Sequence, residues 1–269
     1  PRPEPQAISG FYDLADYYTH ADARPPRHNA LTRLMVAIAW RLDRGCPVDD
    51  AYWQALAPVG AALDIGCGDG SLLEAMAIHA ESRIGVEPDP QARARAAARG
   101  ITVLEGTAED LPAEVLARRF DTITFMHVLE HCLDPKRALA QAPGLLTEGG
   151  RIVIEVPNNA ALGLRQAGAF WRWLDVPRHL NFFTETSLRS LVTEAGLEVV
   201  RCDHDGYTRQ FLPDWIADET RIDAALKGRR VTPARRLRHL GRALRLLART
   251  ALARPARKYD SVRLVCRRA

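Results

Sequence analysis

Short apolar segments alternate with helical segments along most of this chain, and this alternation limits the possible fold more than any other feature. From residue 61 onward, apolar runs of strand length are separated by stretches with helical periodicity. The runs occupy residues 61–65, 83–86, 101–104, 121–125 and 151–156. Parallel βαβ units produce this pattern, because their crossover helices cover both faces of the sheet. The sequence therefore predicts a doubly wound α/β domain.

A glycine-rich turn follows the first apolar run. Residues 63–70 read Leu-Asp-Ile-Gly-Cys-Gly-Asp-Gly, and glycines here let the backbone turn tightly and approach a ligand. About 20 residues further on, Glu87 ends the second run, where a carboxylate can accept both hydroxyls of a ribose. The two neighbouring strand tips predict a nucleoside site at the carboxyl edge of the sheet.

The spacing and the charge of this turn distinguish between nucleoside ligands. Its glycines follow GxGxG, whereas dinucleotide enzymes use GxGxxG and would have a glycine in place of Ser71. A pyrophosphate prefers a helix N-terminus of positive potential, but this turn carries Asp64 and Asp69. Carboxylates suit an ammonium or a sulfonium, so the charge favours S-adenosylmethionine (SAM). An NAD(P)-dependent oxidoreductase and an ordinary structural turn are the alternatives.

These segments resemble the motifs of the class I SAM-dependent methyltransferases, and among them a bacterial small-molecule subgroup that includes the ubiquinone-biosynthesis O-methyltransferases. The resemblance covers residues 60–200 in register. It implies a Rossmann-like, seven-stranded, mostly parallel sheet whose last strand, residues 261–266, runs antiparallel. The matching segments are residues 63–70, 85–88, 105–112, 120–135 and 149–156, and Pro177-Arg178-His179 with the helix that follows.

The resemblance also implies roles in cofactor binding. Asp64 would anchor the methionine ammonium of SAM, and Glu87 would bind its ribose. Thr107 stands where the family often has Asp, so the contact to the adenine amino group is open between Thr107 and Glu109. The predicted cofactor-binding residues are Asp64, Gly66, Cys67, Gly68, Gly70, Glu87, Pro88, Thr107, Ala108, Glu109 and His127.

Two histidines are candidates for the catalytic base. Methyl transfer from a sulfonium is a direct displacement, in which the protein aligns the nucleophile and removes its proton. His131 follows the fourth predicted strand, and His179 lies in the Pro-Arg-His segment. Imidazole titrates near neutrality, which suits this role, although either residue could instead be a structural, hydrogen-bonded histidine. Glu130 is a candidate partner for one of them.

Absent motifs narrow the methyl acceptor to a hydroxyl. The chain lacks the Asn/Asp-Pro-Pro-aromatic run typical of base-amino methylation, a cysteine placed to attack cytosine, and the acidic cluster of metal-assisted catechol enzymes. We therefore expect O-methylation of a small-molecule, sugar or lipid-like acceptor, with no metal. A non-catalytic SAM-binding or scaffold protein is the alternative from a different class.

Segments outside the alternating pattern are expected to surround the site. Residues 46–205 and 260–269 would form the SAM-binding core, and residues 1–45 a helical cap. A helix over residues 30–42 would have an apolar face of Leu31, Leu34, Met35, Ile38 and Leu42.

Two insertions are expected at residues 158–183 and 206–259. The first would form a substrate lid, or its aromatics could simply cover the edge of the sheet. These aromatics are Phe170, Trp171, Trp173, Phe182 and Phe183. The second insertion would contain a basic amphipathic helix.

Positive charge is concentrated in that second insertion. Residues 227–258 hold twelve Lys or Arg and no Asp or Glu, so the net charge of the rest of the chain is −8 although that of the whole chain is +4.

A leucine stripe repeats at helical spacing through residues 234–253, and an arginine stripe lies on the opposite side. The leucines could pack on the domain, or the helix could contact an anionic membrane surface. We expect no specific nucleic-acid binding, because aromatics are not interleaved. The sequence does not indicate an oligomeric state.

The cysteines and the hydropathy predict the compartment. Five dispersed cysteines without a CxxC pair fit a reducing environment and do not suggest zinc. No apolar run approaches the length of a membrane span, and residues 1–30 contain no signal-peptide core. We therefore expect a cytoplasmic protein, peripheral to the inner membrane face if the basic segment binds lipid.

Overall fold

One seven-stranded sheet forms the centre of the molecule. The computed structural model describes residues 30–56 and 59–269. Its strands are β1 (Ala61–Ile65), β2 (Ser82–Val86), β3 (Thr102–Leu104), β4 (Phe120–Met126), β5 (Leu146–Pro157), β6 (Leu197–Asp205) and β7 (Ser261–Arg268). They are arranged in the order β3-β2-β1-β4-β5-β7-β6.

The pairing of the strands confirms the predicted sheet. β1 pairs in parallel with both β2 and β4, and β5 continues the parallel part beside β4. β7 is inserted antiparallel between β5 and β6. The chain runs outward from β1 to β3 and then returns to β4. The carboxyl ends of β1 and β4 therefore flank a topological switch point, where open α/β sheets bind their ligands.

Helices cover both faces of the sheet. They are α1 (Ala30–Leu42), α2 (Asp50–Leu56), α3 (Ser71–Ala75), α4 (Pro90–Ala98), α5 (Ala113–Leu116), α6 (Pro135–Ala140), α7 (Ala142–Leu145), α8 (Leu162–Ala167), α9 (Glu185–Glu194), α10 (Pro213–Leu226), α11 (Pro233–Thr250) and α12 (Pro255–Lys258). Short 3-10 turns lie at Met76–Ile78, Gly168–Phe170, Arg172–Leu174 and Thr208–Phe211. Within the described residues, no helix combines the length and the apolar character that crossing a bilayer would require.

Alternate residues of β5 show how the two faces are filled. Ile152 and Ile154 belong to the core cluster on one side, together with Phe125 of β4. Val153, which lies between them, belongs to the cluster on the other side with Trp53 of α2. Successive side chains of a strand point to opposite faces, so burial on both faces requires the helical layers that the sequence pattern predicted.

The helix predicted over residues 30–42 is present as α1, but only part of its predicted apolar face is buried. The buried residues are Thr32, Met35 and Ala39. Met35 and Ala39 pack in a cluster with Tyr207 and Phe211, and Leu42 packs against this cluster. Because the aromatic rings lie against this side of α1, the rest of the predicted face is exposed, namely Leu31, Leu34 and Ile38.

The basic helix packs only part of its leucine stripe on the domain. Arg235 and His239 are buried in α11 because both contact the buried carboxylate of Asp223 on α10. Burying this ion pair turns part of the leucine stripe toward solvent. Leu237 is 70% exposed, while Leu247 remains packed against the domain at 7%.

Leu237 and Leu247 of α11 provide a matched test of this orientation. We expect Leu247→Ala to lower the free energy of unfolding by about 2–5 kcal/mol, because it leaves a cavity in a packed cluster. Leu237→Ala should change it by less than about 0.5 kcal/mol. Urea denaturation of both variants measures the difference, and equal losses would contradict the observed orientation.

Candidate functional site

The turn after β1 has a left-handed backbone at each of its glycines. The φ angles of Gly66, Gly68 and Gly70 are 72°, 54° and 76°, which side-chain-bearing residues rarely adopt. The N–H of Gly66 donates to the carbonyl of Val86 at 2.8 Å, which joins the turn to the end of β2. A Cβ on Gly66 would lie 2.6 Å from a methyl of Val128, in the loop after β4. Three strand tips therefore meet at this turn.

Cys67 contributes its main chain, and not its thiol, to the surface of the turn. Its side chain is buried against β2, where a Cβ on Gly85 would lie 2.3 Å from the Cys67 Sγ. Burial, with the neighbouring carboxylates, raises the pKa of the Cys67 thiol well above its usual range. The backbone of Cys67, and not its side chain, can therefore face a ligand.

Glu87 lies directly after β2, with its carboxylate turned toward the glycine turn. Oε2 accepts the N–H of Gly68 and Oε1 accepts the N–H of Asp89, both at 2.9 Å. Burial raises the pKa of Glu87, although these two hydrogen bonds favour its charged form. A carboxylate offers about four lone-pair positions, so positions remain for two ribose hydroxyls. The adjacent Pro88 is exposed.

Asp64 is a buried carboxylate with one hydrogen-bond donor. The hydroxyl of Thr124 on β4 donates to Asp64 Oδ1 at 2.6 Å, and Asp64 is 2% exposed. Burial raises its pKa to about 7, and the nearby Glu87 carboxylate acts in the same direction. A cation placed beside Asp64 would restore its charged form. The residue is thus suited to an ammonium group.

The other acidic residue of the turn shares an arginine with a second carboxylate. Arg99, just after α4, lies 3.0 Å from Asp69 Oδ2 and also contacts Glu74, and the N–H of Ser71 donates to Asp69 Oδ1. One guanidinium thus faces two carboxylates. The expectation that Asp69 adds negative charge beside Asp64 stays a prediction.

The loop after β3 holds the residues predicted to border an adenine. Thr107 is exposed, and its Oγ1 accepts the N–H of Asp110 at 3.1 Å. Ala108 is buried. Glu109 Oε1 accepts the N–H of Asp134 at 2.7 Å, which ties this loop to the loop after β4. Thr107 and Ala108 can line a ligand, whereas Glu109 is engaged in holding the two loops together.

His127 follows β4 and is clamped between two carboxylates. Its Nδ1 lies 3.2 Å from Glu130 Oε1, and its Nε2 lies 3.2 Å from Glu155 Oε1. Its ring stacks on Trp173 with a centroid distance of 5.1 Å. Burial opposes the charge on the imidazole, but the two carboxylates outweigh it and raise the pKa of His127 to about 9. His127 is therefore a charged anchor of the site at neutral pH.

Sequence reasoning did not single out Glu155 or its partner. Arg263 of β7 donates from Nε to Glu155 Oε2 at 2.6 Å, and both residues are buried. With His127 and Glu130 they form a row of alternating charges under the site. The available signal was one acidic residue inside the otherwise apolar strand at residues 152–156.

The two candidate bases lie against each other. The rings of His131 and His179 are 4.6 Å apart at their centroids. His179 Nδ1 lies 2.8 Å from the carbonyl of Trp173, which assigns the proton to Nδ1 and leaves Nε2 as the acceptor. Burial lowers the pKa of His179, so its imidazole is neutral at pH 7.

Glu130 joins these histidines in one cluster. It is 1% exposed, and no residue that the structure describes hydrogen-bonds to its Oε2. Ligand atoms of Glu130, His131 and His179 all lie within 4.8 Å of one another. Such donors can also hold a metal ion. Among the described residues, Glu185, Cys202 and His204 form a second group of this kind. The expectation that no metal is used stays a prediction.

The aromatic residues of segment 158–183 occupy different environments. Trp171 is 1% exposed and packs with Trp215 of α10, and Phe183 belongs to the main core. Phe170 packs on the ring of His239, whereas Phe182 is exposed. Trp173 is the member that stacks on His127. The lid remains a prediction, and Trp173 is the aromatic residue of this segment that contacts His127 at the site.

Known proteins share the segment that carries this site. A family model described as a methyltransferase domain matches residues 47–201. The ubiquinone biosynthesis O-methyltransferase of Cereibacter sphaeroides is 37% identical over 150 residues, which are 51% of this chain and 60% of that relative. The protein of the same name from Xanthomonas axonopodis pv. citri is 32% identical over 167 residues, covering 57% and 70% respectively. The chain thus spans 60% of the length of the first relative.

Solved structures share the fold. A SAM-dependent methyltransferase from Archaeoglobus fulgidus aligns with a TM-score of 0.51 at 18% identity, covering 87% of this chain and 93% of that one. Identity at this level shows a common fold alone. The family match ends inside β6, so α10 and α11 lie outside it.

The raised pKa of Asp64 predicts that this buried carboxylate lowers the free energy of unfolding above about pH 7. A carboxyl whose folded pKa is above its unfolded value stabilises the fold fully only below the unfolded pKa, near 4, and this contribution is lost as the pH rises through about 7. We therefore expect Asp64→Asn to be more stable than the natural protein at about pH 8, by at most about 4 kcal/mol. At about pH 4 the two should differ little.

Urea denaturation at the two pH values measures this effect. Glu114→Ala, an exposed acidic position on α5, is the control and should leave the pH dependence unchanged. An Asp64→Asn protein that is less stable at both pH values would contradict the inferred cost.

Proposed function

Since the chain belongs to the methyltransferase-domain family, we propose that it binds SAM and transfers the methyl group to a hydroxyl of a small-molecule, sugar or lipid-like acceptor. The observation that carries this proposal is the arrangement of Glu87 and Asp64 around the glycine turn. When bound, SAM supplies an electrophilic methyl group on a sulfonium. The residues of this chain would bind the cofactor, orient the acceptor and remove its proton.

Residues of the turn fit the two polar ends of SAM. Glu87 retains lone pairs for the ribose hydroxyls, and Asp64 gains its charged form when an ammonium approaches. Gly68 has no heavy atom within 4 Å of the place where a Cβ would be, so its backbone can approach a ligand. Ala108 and Thr107 would border the adenine.

His179 is the proposed base, with His131 beside it as the second candidate. The neutral imidazole of His179 holds its Nε2 as an acceptor, because Nδ1 is fixed by the Trp173 carbonyl. The buried Glu130 carboxylate favours the protonated form of His179 once this histidine takes a proton. His127 is already protonated and so serves to orient Glu130.

A hydroxyl acceptor is supported by two observations. The matched relatives are named O-methyltransferases of ubiquinone biosynthesis, and the histidine cluster provides a base that a hydroxyl nucleophile needs. The wall beside this cluster is formed by Trp173, whose flat surface suits a ring or another apolar group.

Cofactor identity can be tested by isothermal titration with SAM and with NAD. We expect SAM to bind and NAD not to bind. Glu87→Ala should weaken SAM binding at least about tenfold, because it removes hydrogen bonds to a charged acceptor. The control Glu114→Ala should bind as the natural protein does. Binding of NAD in preference to SAM would overturn the proposal.

The base can be tested by kinetics with SAM and a panel of phenol, sugar and lipid-alcohol acceptors. His179→Ala should lower kcat about 10²–10⁴-fold while leaving the affinity for SAM unchanged. His131→Ala should lower it less. His79→Ala, in the turn after α3, is the control. If SAM binds but no hydroxyl acceptor in the panel is methylated, the non-catalytic alternative is favoured.

A further inference from the structure

Helices α1 and α11 share one packed cluster and lie side by side. Met35 and Ala39 of α1 and Leu247 of α11 belong to this cluster, and Leu240 packs against it. Leu240 and Leu247 lie seven residues apart on the same side of α11, and the exposed Leu237 lies three residues before Leu240. The exposed leucines of α11 therefore flank the side of this helix that shares the cluster with α1.

Both helices direct apolar side chains toward solvent. In α1 the exposed side chains include Trp40, which is 72% exposed. Leu252, just after α11, is fully exposed at 100%. The remaining members of this surface, called here the α1–α11 face, are Leu31, Leu34, Ile38, Leu237 and Leu244. This number of exposed apolar residues on two packed helices marks a region that contacts another phase or molecule.

Positive charge accompanies these apolar residues. Arg238, Arg245 and Arg249 are exposed on α11, and Arg33 and Arg41 are exposed on α1. In the described part of the chain, Arg238 and Arg245 form no ion pair with a carboxylate. The segment 227–258 contains no acidic residue at all. Each exposed leucine within α11 is followed directly by an exposed arginine, about 100° further around the helix. The solvent-facing side of α11 therefore carries arginines beside its exposed leucines.

We propose that the α1–α11 face binds the surface of an anionic lipid bilayer. Apolar side chains would enter the boundary between headgroups and acyl chains, and the arginines would contact lipid phosphates. Trp40 suits this depth, because an indole has an apolar ring and one polar N–H. This inference stands on the exposed helices and does not depend on methyl transfer.

Charge complementarity favours a bilayer over the other possible occupants. A second copy of this chain docked about a two-fold axis would place the same arginines against each other, which costs energy. A nucleic acid would use the arginines but would leave the leucines exposed to water. An anionic bilayer satisfies both kinds of side chain.

Vesicle sedimentation tests the proposal. We expect the natural protein to bind vesicles with about one third phosphatidylglycerol in phosphatidylcholine, and to bind pure phosphatidylcholine at least about tenfold more weakly. Raising the salt from about 0.1 M to about 1 M should weaken the binding, because the arginine–lipid attraction is screened.

Matched variants locate the contact. The variant Leu237→Ser, Arg238→Gln, Arg245→Gln should bind anionic vesicles at least about tenfold more weakly. The control Leu116→Ser, Arg118→Gln, Arg119→Gln makes the same changes at exposed positions of α5 and just after it, and should bind as the natural protein does. Circular dichroism melting of both variants shows whether they remain folded. Equal loss in the two folded variants would overturn the proposal.

Tryptophan fluorescence gives a second readout that needs no change in α11. Trp40 is exposed, whereas Trp53, Trp171 and Trp215 are buried. Lipids brominated on their acyl chains should quench part of the emission of the natural protein, and this part should be absent in Trp40→Phe. Sedimentation without quenching of Trp40, or light scattering that shows a dimer and no lipid binding, would overturn the proposal.

Discussion

Four neighbouring strands each bring a carboxylate to the same edge of the sheet, and the compensation of these buried charges organises the site. Asp64 lies in β1, Glu87 follows β2, Glu130 follows β4 and Glu155 lies in β5. A buried carboxylate is costly unless it is paired or hydrogen-bonded. His127 pairs with two of these carboxylates, Glu130 and Glu155. Backbone N–H groups donate hydrogen bonds to a third, Glu87.

Asp64 is the member of this group that the protein compensates least. Its carboxylate accepts a hydrogen bond from the Thr124 hydroxyl, but burial outweighs this contact and raises its pKa to about 7. A buried carboxylate that the protein does not fully compensate can bind a cation. Such a cation offsets the free-energy cost of burying the charged carboxylate. A preference for a cationic ligand would follow from the incomplete compensation at Asp64. Asp69 is partly compensated, because it shares Arg99 with Glu74.

Local sequence signals predicted the sheet and many of its elements well. Helix α4 is bounded by such signals, because Asp89 caps it, Pro90 begins it and Gly100 adopts a left-handed conformation just beyond it. The glycine turn could be predicted for a similar reason, since its left-handed backbone favours glycine, and Glu87 from its spacing after this turn. These are short-range requirements, and a single sequence contains them.

Long-range contacts could not be read in the same way. The faces of α1 and α11 were predicted from apolar spacing, but the packing is decided by aromatic rings from residues 207–211 and by the buried Asp223. The clamp on His127 likewise joins residues 127, 130, 155 and 263, which lie on three strands or the loops after them. Nothing in the local sequence states which charges will meet.

The wall of the site near the histidines is built partly from the segment that lies outside the family match. Trp173 stacks on His127, and it is itself held by Arg209 at 5.1 Å and by Trp215 at 5.9 Å. Both supporting residues follow residue 201, where the family model ends. The glycine turn, Glu87 and the histidine cluster therefore lie within the segment that the family model matches, while the position of Trp173 depends on contacts from α10 and the turn before it, which lie beyond that segment.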